Sequence, residues 1–97
     1  MADPNSTSGK LHVSLVTPEA ELFSGEVDQV VAPGSEGEFG VLAHHAPFMT
    51  TLAEGSVTIL DGNSKRVFQV QGGFADVNED GMTILAEHAV EYLETVH

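Results

Sequence analysis

The residues best placed to do chemistry lie in one stretch, Pro33 to Gly55, which reads PGSEGEFGVLAHHAPFMTTLAEG. It brings Ser35, Glu36, Glu38, His44 and His45 close together in the chain. A serine nucleophile needs a histidine base and a third group that orients it. Ser35 has histidines nearby, but PGSEG is not the strand-to-helix elbow that exposes such a serine. Glu36 and Glu38 could form an acid/base pair if an apolar pocket split their acidities. In a glycine-rich loop they read more simply as solvated acids. His44 and His45 are neighbours, so on a strand they point to opposite sides and cannot hold one ion together. His12, His88 and His97 could join them only through the fold. A histidine site completed by Glu36 or Glu38 is the metal-binding alternative; loop histidines that hydrogen-bond or face solvent are the plainer reading. The glycines make no phosphate cradle, because no helix follows and the stretch has no lysine. The residue chemistry therefore points away from catalysis and toward a module that binds or supports.

A stretch with glycines at 34, 37 and 40 and prolines at 33 and 47 needs a rigid support to hold its shape. The rest of the chain supplies strands. Leu11, Val13 and Leu15 alternate with His12 and Ser14, which predicts a half-buried strand over residues 10–16. A short strand over 20–24, ended by Gly25, and another over 26–32 follow. Ser56 to Leu60 and Lys65 to Gln71 flank Asp61-Gly62, a tight hairpin signal. Gly72-Gly73 predicts a bend or bulge before the chain resumes at Phe74 to Val77. A turn at Asn78 to Gly81 leads to a last strand over 82–86. In EHAVEYLETVH, Ala89, Leu93 and Val96 recur at helical spacing, which predicts a short amphipathic helix. Short strands separated by glycine- and aspartate-containing turns predict an all-β antiparallel sandwich or barrel. The expected organisation is a disordered tail over 1–9, a β-sandwich over 10–86 and a helical remnant over 87–97.

Ninety-seven residues form one domain, and 41% apolar composition argues for a packed core. Fifteen acids against three Lys and Arg give a net charge of -12. Such a charge repels phosphate backbones and anionic lipids, so nucleic acid is a poor partner and a basic protein surface, or none, is the better expectation. The absence of cysteine excludes disulfides, thiolate metal sites and a cysteine nucleophile. No apolar run approaches the roughly 20 residues that cross a bilayer, so no direct membrane insertion is expected. The polar N-terminus MADPNSTSGK lacks the features of a signal or transit peptide, which predicts a chain that stays in the cytosol.

The order VTPEAELFSGEVDQVVAPGSEGEFGVLAHHAP, then LAEGSVTI, VQGGFADV and MTILAEHA, resembles the epsilon subunit of the F-type proton-translocating ATP synthase, from about Leu11 to Glu91. The resemblance implies a flattened β-sandwich of ten strands followed by a helical hairpin. It implies a non-catalytic place on the central stalk, linking the gamma subunit to the ring of c subunits and coupling proton translocation to ATP synthesis, with no cofactor. It places Glu36 to Pro47 at the end facing the c-ring, with Glu36, Glu38 and His45 as the site residues. Glu38 would meet a basic residue of the c-subunit loop, and His45 would brace the loop. Val30, Leu42 and Met49 are the candidates for gamma contact. The chain ends where the first hairpin helix would begin, which predicts little inhibition of ATP hydrolysis by that route. The missing transit peptide favours a bacterial protein, peripheral to the inner membrane on its cytoplasmic side. The competing function is an autonomous sandwich that binds a small ligand or metal; a small hydrolase comes third.

Overall fold

The computed structural model describes residues 10–92. The expected tail over 1–9 and the end of the expected helix, 93–97, lie outside the described residues. The described chain forms eight strands and contains no helix. In β1 (Leu11–Val16) the alternation holds, with Leu11, Val13 and Leu15 buried. β2 (Glu21–Val27) runs straight through Gly25, and the chain corners at Asp28 instead. Asp28 holds that corner through long-range bonds: its backbone N–H donates to the Leu60 carbonyl at 2.9 Å, and its carboxylate accepts from the Gly62 N–H at 2.7 Å. β3 (Gln29–Gly34) and β4 (Gly37–Leu42) form a hairpin across Ser35-Glu36. β5 (Phe48–Thr51) and β6 (Gly55–Asp61) follow. β7 (Ser64–Asn78) and β8 (Gly81–Tyr92) make one long hairpin.

That hairpin builds the sandwich. The second half of β7 and the first half of β8 pair with β5 and β1 respectively, and β1 pairs with β2; these form the first layer. The first half of β7 pairs with β6 and with the end of β8, and β6 pairs with β3, then β4; these form the second layer. Counted by layer, β7 and β8 each appear twice, which recovers the ten strands of the sequence expectation. The bend between the halves lies at Gly72 and Gly73, with φ of 68° and 111°. Register is the same on both sides of it, Gln71 opposite His88 and Gly73 opposite Ala86, so it is a bend without an inserted residue. One ladder, β1 with β8, is parallel.

Two expectations are corrected at the C-terminus. Residues 87–92 are strand, not helix, and the sandwich extends to Tyr92 rather than stopping at residue 86. His88, Val90 and Tyr92 also alternate with Ala89 and Glu91, a period-two pattern. The backbone pairs offered by Val67 to Gln71 decide between the two periods. Seventeen apolar side chains are buried between the layers, among them Val13, Leu15, Val30, Phe68, Met82 and Ile84. Burial of these side chains, at roughly 25 cal/mol per Å² of apolar surface, is the main force holding the layers together.

Candidate functional site

Glu36 and Glu38 stand at the β3–β4 turn, both exposed. Gly34 and Gly37 close this turn. Gly37 has φ of 129°, which a side chain disfavours. A Cβ on Gly34 would come within 2.8 Å of the Gly37 carbonyl. The tip is thus held in one shape: the Ser35 N–H donates to the Thr51 carbonyl at 3.0 Å, and the Thr51 hydroxyl donates to the Ser35 hydroxyl at 2.8 Å.

His45 lies beyond the other end of β4, in the loop to β5. Glu36 to Pro47 is therefore not a single loop, because β4 occupies its middle. A chain of rings joins its parts. Phe39 packs edge-on against Phe48 at 5.2 Å, and the His45 ring lies 6.0 Å from Phe48. The His45 N–H donates to the Leu42 carbonyl, and Nδ1 donates to the Ala46 carbonyl at 2.7 Å. These contacts lie within the loop and its flanking strand. His44 is exposed with φ of 67°, the one described non-glycine residue at positive φ.

Among the gamma-contact candidates, Leu42 and Met49 are 55% and 65% exposed, but Val30 is fully buried. Val30 faces inward because it pairs with Val41 on one side and Ile59 on the other, both in the core. It cannot touch a partner and is withdrawn from that role. Leu42 and Met49 sit on β4 and β5, along the same margin as Glu38 and Phe48. Each of these two strands has only one ladder partner, β3 for β4 and β7 for β5. The result is an exposed margin that mixes acids with apolar side chains.

Sequence reasoning missed a second surface. The cross-strand registers align Glu21, Val16, Leu85, Phe74 and Thr51 in one row on the outside of the first layer. Ser24, Ser14, Thr83, Asp76 and Met49 make the adjoining row. Val16, Thr17, Pro18, Gly73, Phe74, Leu85 and Ala86 line a largely apolar groove, with the acid Glu87 on its rim. The signal was present in MTILAEHA and GGFADV, where Leu85 and Phe74 are apolar out of phase with the buried Ile84 and Ala75.

Ion pairs fasten the opposite parts. Lys10 binds Asp28 at 2.9 Å and also Asp61, and the bond to Asp61, then that to Asp28, raises its pKa to about 12. The Gly62 N–H, then Lys10, holds Asp28 below the usual carboxylate range. Arg66 grips Glu91 through two 2.8 Å bonds, and its guanidinium lies 5.1 Å from the Phe23 ring centre and 5.4 Å from that of Phe68. The grip lowers the pKa of Glu91 and raises that of Arg66. No group of three or more His, Asp or Glu among the described residues could hold a metal.

The family model for the ATP synthase Delta/Epsilon chain, beta-sandwich domain, matches residues 10–92. The chain belongs to this family. It is 73% identical over 82 residues to the ATP synthase epsilon chain of Caulobacter vibrioides, covering 84% of this chain and 95% of that one. It is 65% identical to the epsilon chain of Hyphomonas neptunium over 82% of this chain, but spans only 60% of that relative's length. Among solved structures, a chain of the Euglena gracilis mitochondrial ATP synthase (OSCP/F1/c-ring) superposes with a TM-score of 0.81 at 26% identity, covering 94% of this chain and 59% of that one. A chain of the Tetrahymena thermophila mitochondrial ATP synthase central stalk and c-ring reaches 0.71 at 19% identity, covering 81% and 64%, and shares the fold. No described helix is long and apolar enough to cross a membrane.

Proposed function

We propose that this chain is a non-catalytic central-stalk subunit of a proton-translocating ATP synthase, joining the gamma subunit to the c-ring on the cytoplasmic side of a bacterial inner membrane. The observation that carries this reading is the 73% identity to an epsilon chain over 95% of that chain's length. The exposed margin fits the role. Glu38, with Glu36 beside it, offers charge to a basic c-subunit loop, and His45 keeps the neighbouring loop in shape. Leu42 and Met49 on the same margin offer apolar contact. The small-ligand and metal alternative draws no support from the clustering of the described side chains. Co-expression with gamma and the c-ring tests the role: the chain is expected to co-purify with both. A chain that assembles with neither would sink the reading. Glu38→Lys is expected to weaken c-ring attachment and leave gamma binding intact; unchanged assembly and coupling would remove Glu38 from the interface.

A further inference from the structure

Two Asp-Gly pairs sit at hairpin turns, Asp61-Gly62 between β6 and β7 and Asp80-Gly81 between β7 and β8. Such a pair can rearrange without an enzyme. The glycine nitrogen attacks the aspartate side-chain carboxyl, because no Cβ shields it. A bond forms between that nitrogen and Cγ, the nitrogen gives up its proton, and a carboxyl oxygen leaves as water. Water then opens the succinimide ring, and attack at the main-chain carbonyl leaves the chain running through the side chain as isoaspartate. We infer that Asp80 is the site of spontaneous isoaspartate formation in this chain, and that the fold protects Asp61 from the same modification.

At Asp61 both reacting groups are engaged. The Gly62 N–H donates to the Asp28 carboxylate at 2.7 Å, and the Asp61 carboxylate binds Lys10. Lys10 also binds Asp28 at 2.9 Å, so the three side chains and the turn hold one another. Asp61 itself lies in the β6–β7 ladder, opposite Ser64. Before Gly62 can attack, its N–H must leave a charged acceptor, and hydrogen bonds to ionised groups are the strong ones.

Asp80 has no such lock. It is exposed and stands in the turn itself, outside the ladder. Its carboxylate has no hydrogen bond or ion pair among the described residues. Its backbone N–H donates to Asn78 Oδ1 at 2.8 Å, which shapes the turn without engaging either reacting group. The residue opposite Gly81 is Asn78, which carries no charge. The product disturbs the place where it forms. Isoaspartate lengthens the main chain just before Gly81, where a Cβ would already come within 2.3 Å of the His12 carbonyl. The turn must therefore shift against β1 as the isomer accumulates.

The test is ageing of the purified chain at mildly acidic pH. Isoaspartate is located by fragmentation mass spectrometry and counted by methyl transfer from S-adenosylmethionine with protein isoaspartate methyltransferase. Asp80 is expected to convert at least about tenfold faster than Asp61, the rate equivalent of first breaking one hydrogen bond to a charged group. In denaturant the two sites should convert alike, because the lock is gone. Asp28→Ala frees the Gly62 N–H and is expected to raise conversion at Asp61 while leaving Asp80 as in wild type. If that variant unfolds, Lys10→Met releases the Asp61 carboxylate and reads the same lock. No conversion at Asp80, equal or faster conversion at Asp61 in the folded chain, or a difference that persists in denaturant overturns the assignment. A folded lock variant in which Asp61 stays as slow as in wild type overturns the protection.

Discussion

His44 adopts a φ of 67° in the β4–β5 loop, a conformation that histidine tolerates and β-branched residues do not. Its neighbour His45 keeps ordinary angles and makes the loop's hydrogen bonds. Replacement by valine should therefore separate the two: His44→Val is expected to lower stability by about 1–2 kcal/mol in urea unfolding, whereas His44→Gly should leave it within about 0.5 kcal/mol as relief of strain offsets added chain entropy. The Arg66–Glu91 pair yields to a pH test. Its carboxyl is depressed from the ordinary 4.5, so the stability it contributes is present above that value and is lost as pH falls through the lower folded-state value. The pair is partly exposed, with side-chain accessibilities of 44% and 29%, so it contributes no more than about 1 kcal/mol. Glu91→Gln should melt below wild type at neutral pH, and the gap should close as pH drops past 4.5. Comparing the two proteins at each pH removes the effect of neutralising the other acids, which a single titration would mix in. A gap that persists into acid would show that packing of Arg66 on Phe23 and Phe68, not charge, is what the substitution disturbs.

At the scale of elements, the long β7–β8 hairpin is what converts one sheet into two layers, and its bend depends on Gly73. Alanine there would meet the Leu85 carbonyl within 1.9 Å and would also have to adopt a φ of 111°. Neither can be relieved without breaking the Gly73–Ala86 pairing or the bond from the Leu52 N–H to the Gly73 carbonyl. Gly73→Ala is expected to destabilise the domain by roughly 3 kcal/mol or more, in the range of severe backbone and packing lesions; near-wild-type unfolding would show that the bend can move. Such local devices were legible in the sequence: Gly72-Gly73, the Asp61-Gly62 turn and the alternating β1 all carry their cause in adjacent residues. The corner at Asp28 was not, because its cause lies in Lys10, Leu60 and Gly62, remote in the chain. The end of β8 was not, because EHAVEY satisfies two periods and only the partner strand chooses. The parallel β1–β8 ladder likewise has no local signature. For the candidate site, Glu36, Glu38 and His45 were legible as residue types. That β4 separates them, and that Val30 points inward, required the registers.

At the scale of the whole molecule, the distribution of charge divides the surface. Two of the three Lys and Arg, Lys10 and Arg66, are committed to ion pairs, so the exposed field is acidic. Acids collect in turns and edges, at Glu36, Glu38, Glu54, Glu79 and Asp80, and the outer face of the second layer is nearly uncharged. A subunit with this pattern holds two partners by different forces. The contact proposed between Glu38 and a basic loop is Coulombic and exposed, and at 0.1 M salt charges are screened over about 10 Å. The apolar contact proposed for Leu42 and Met49 gains nothing from charge, and salts that are excluded from protein surfaces strengthen it. Raising sodium chloride from about 0.05 to 0.5 M should therefore release the chain from the c-ring by several-fold while leaving its affinity for gamma level or slightly higher. Glu38→Gln should flatten the salt dependence of the c-ring contact, since the charge that responds to screening is gone, and should leave the gamma curve untouched. Equal salt sensitivity at both contacts would mean that gamma also binds through acids. The division of labour between acids and apolar side chains would then be wrong, whatever the family of the chain.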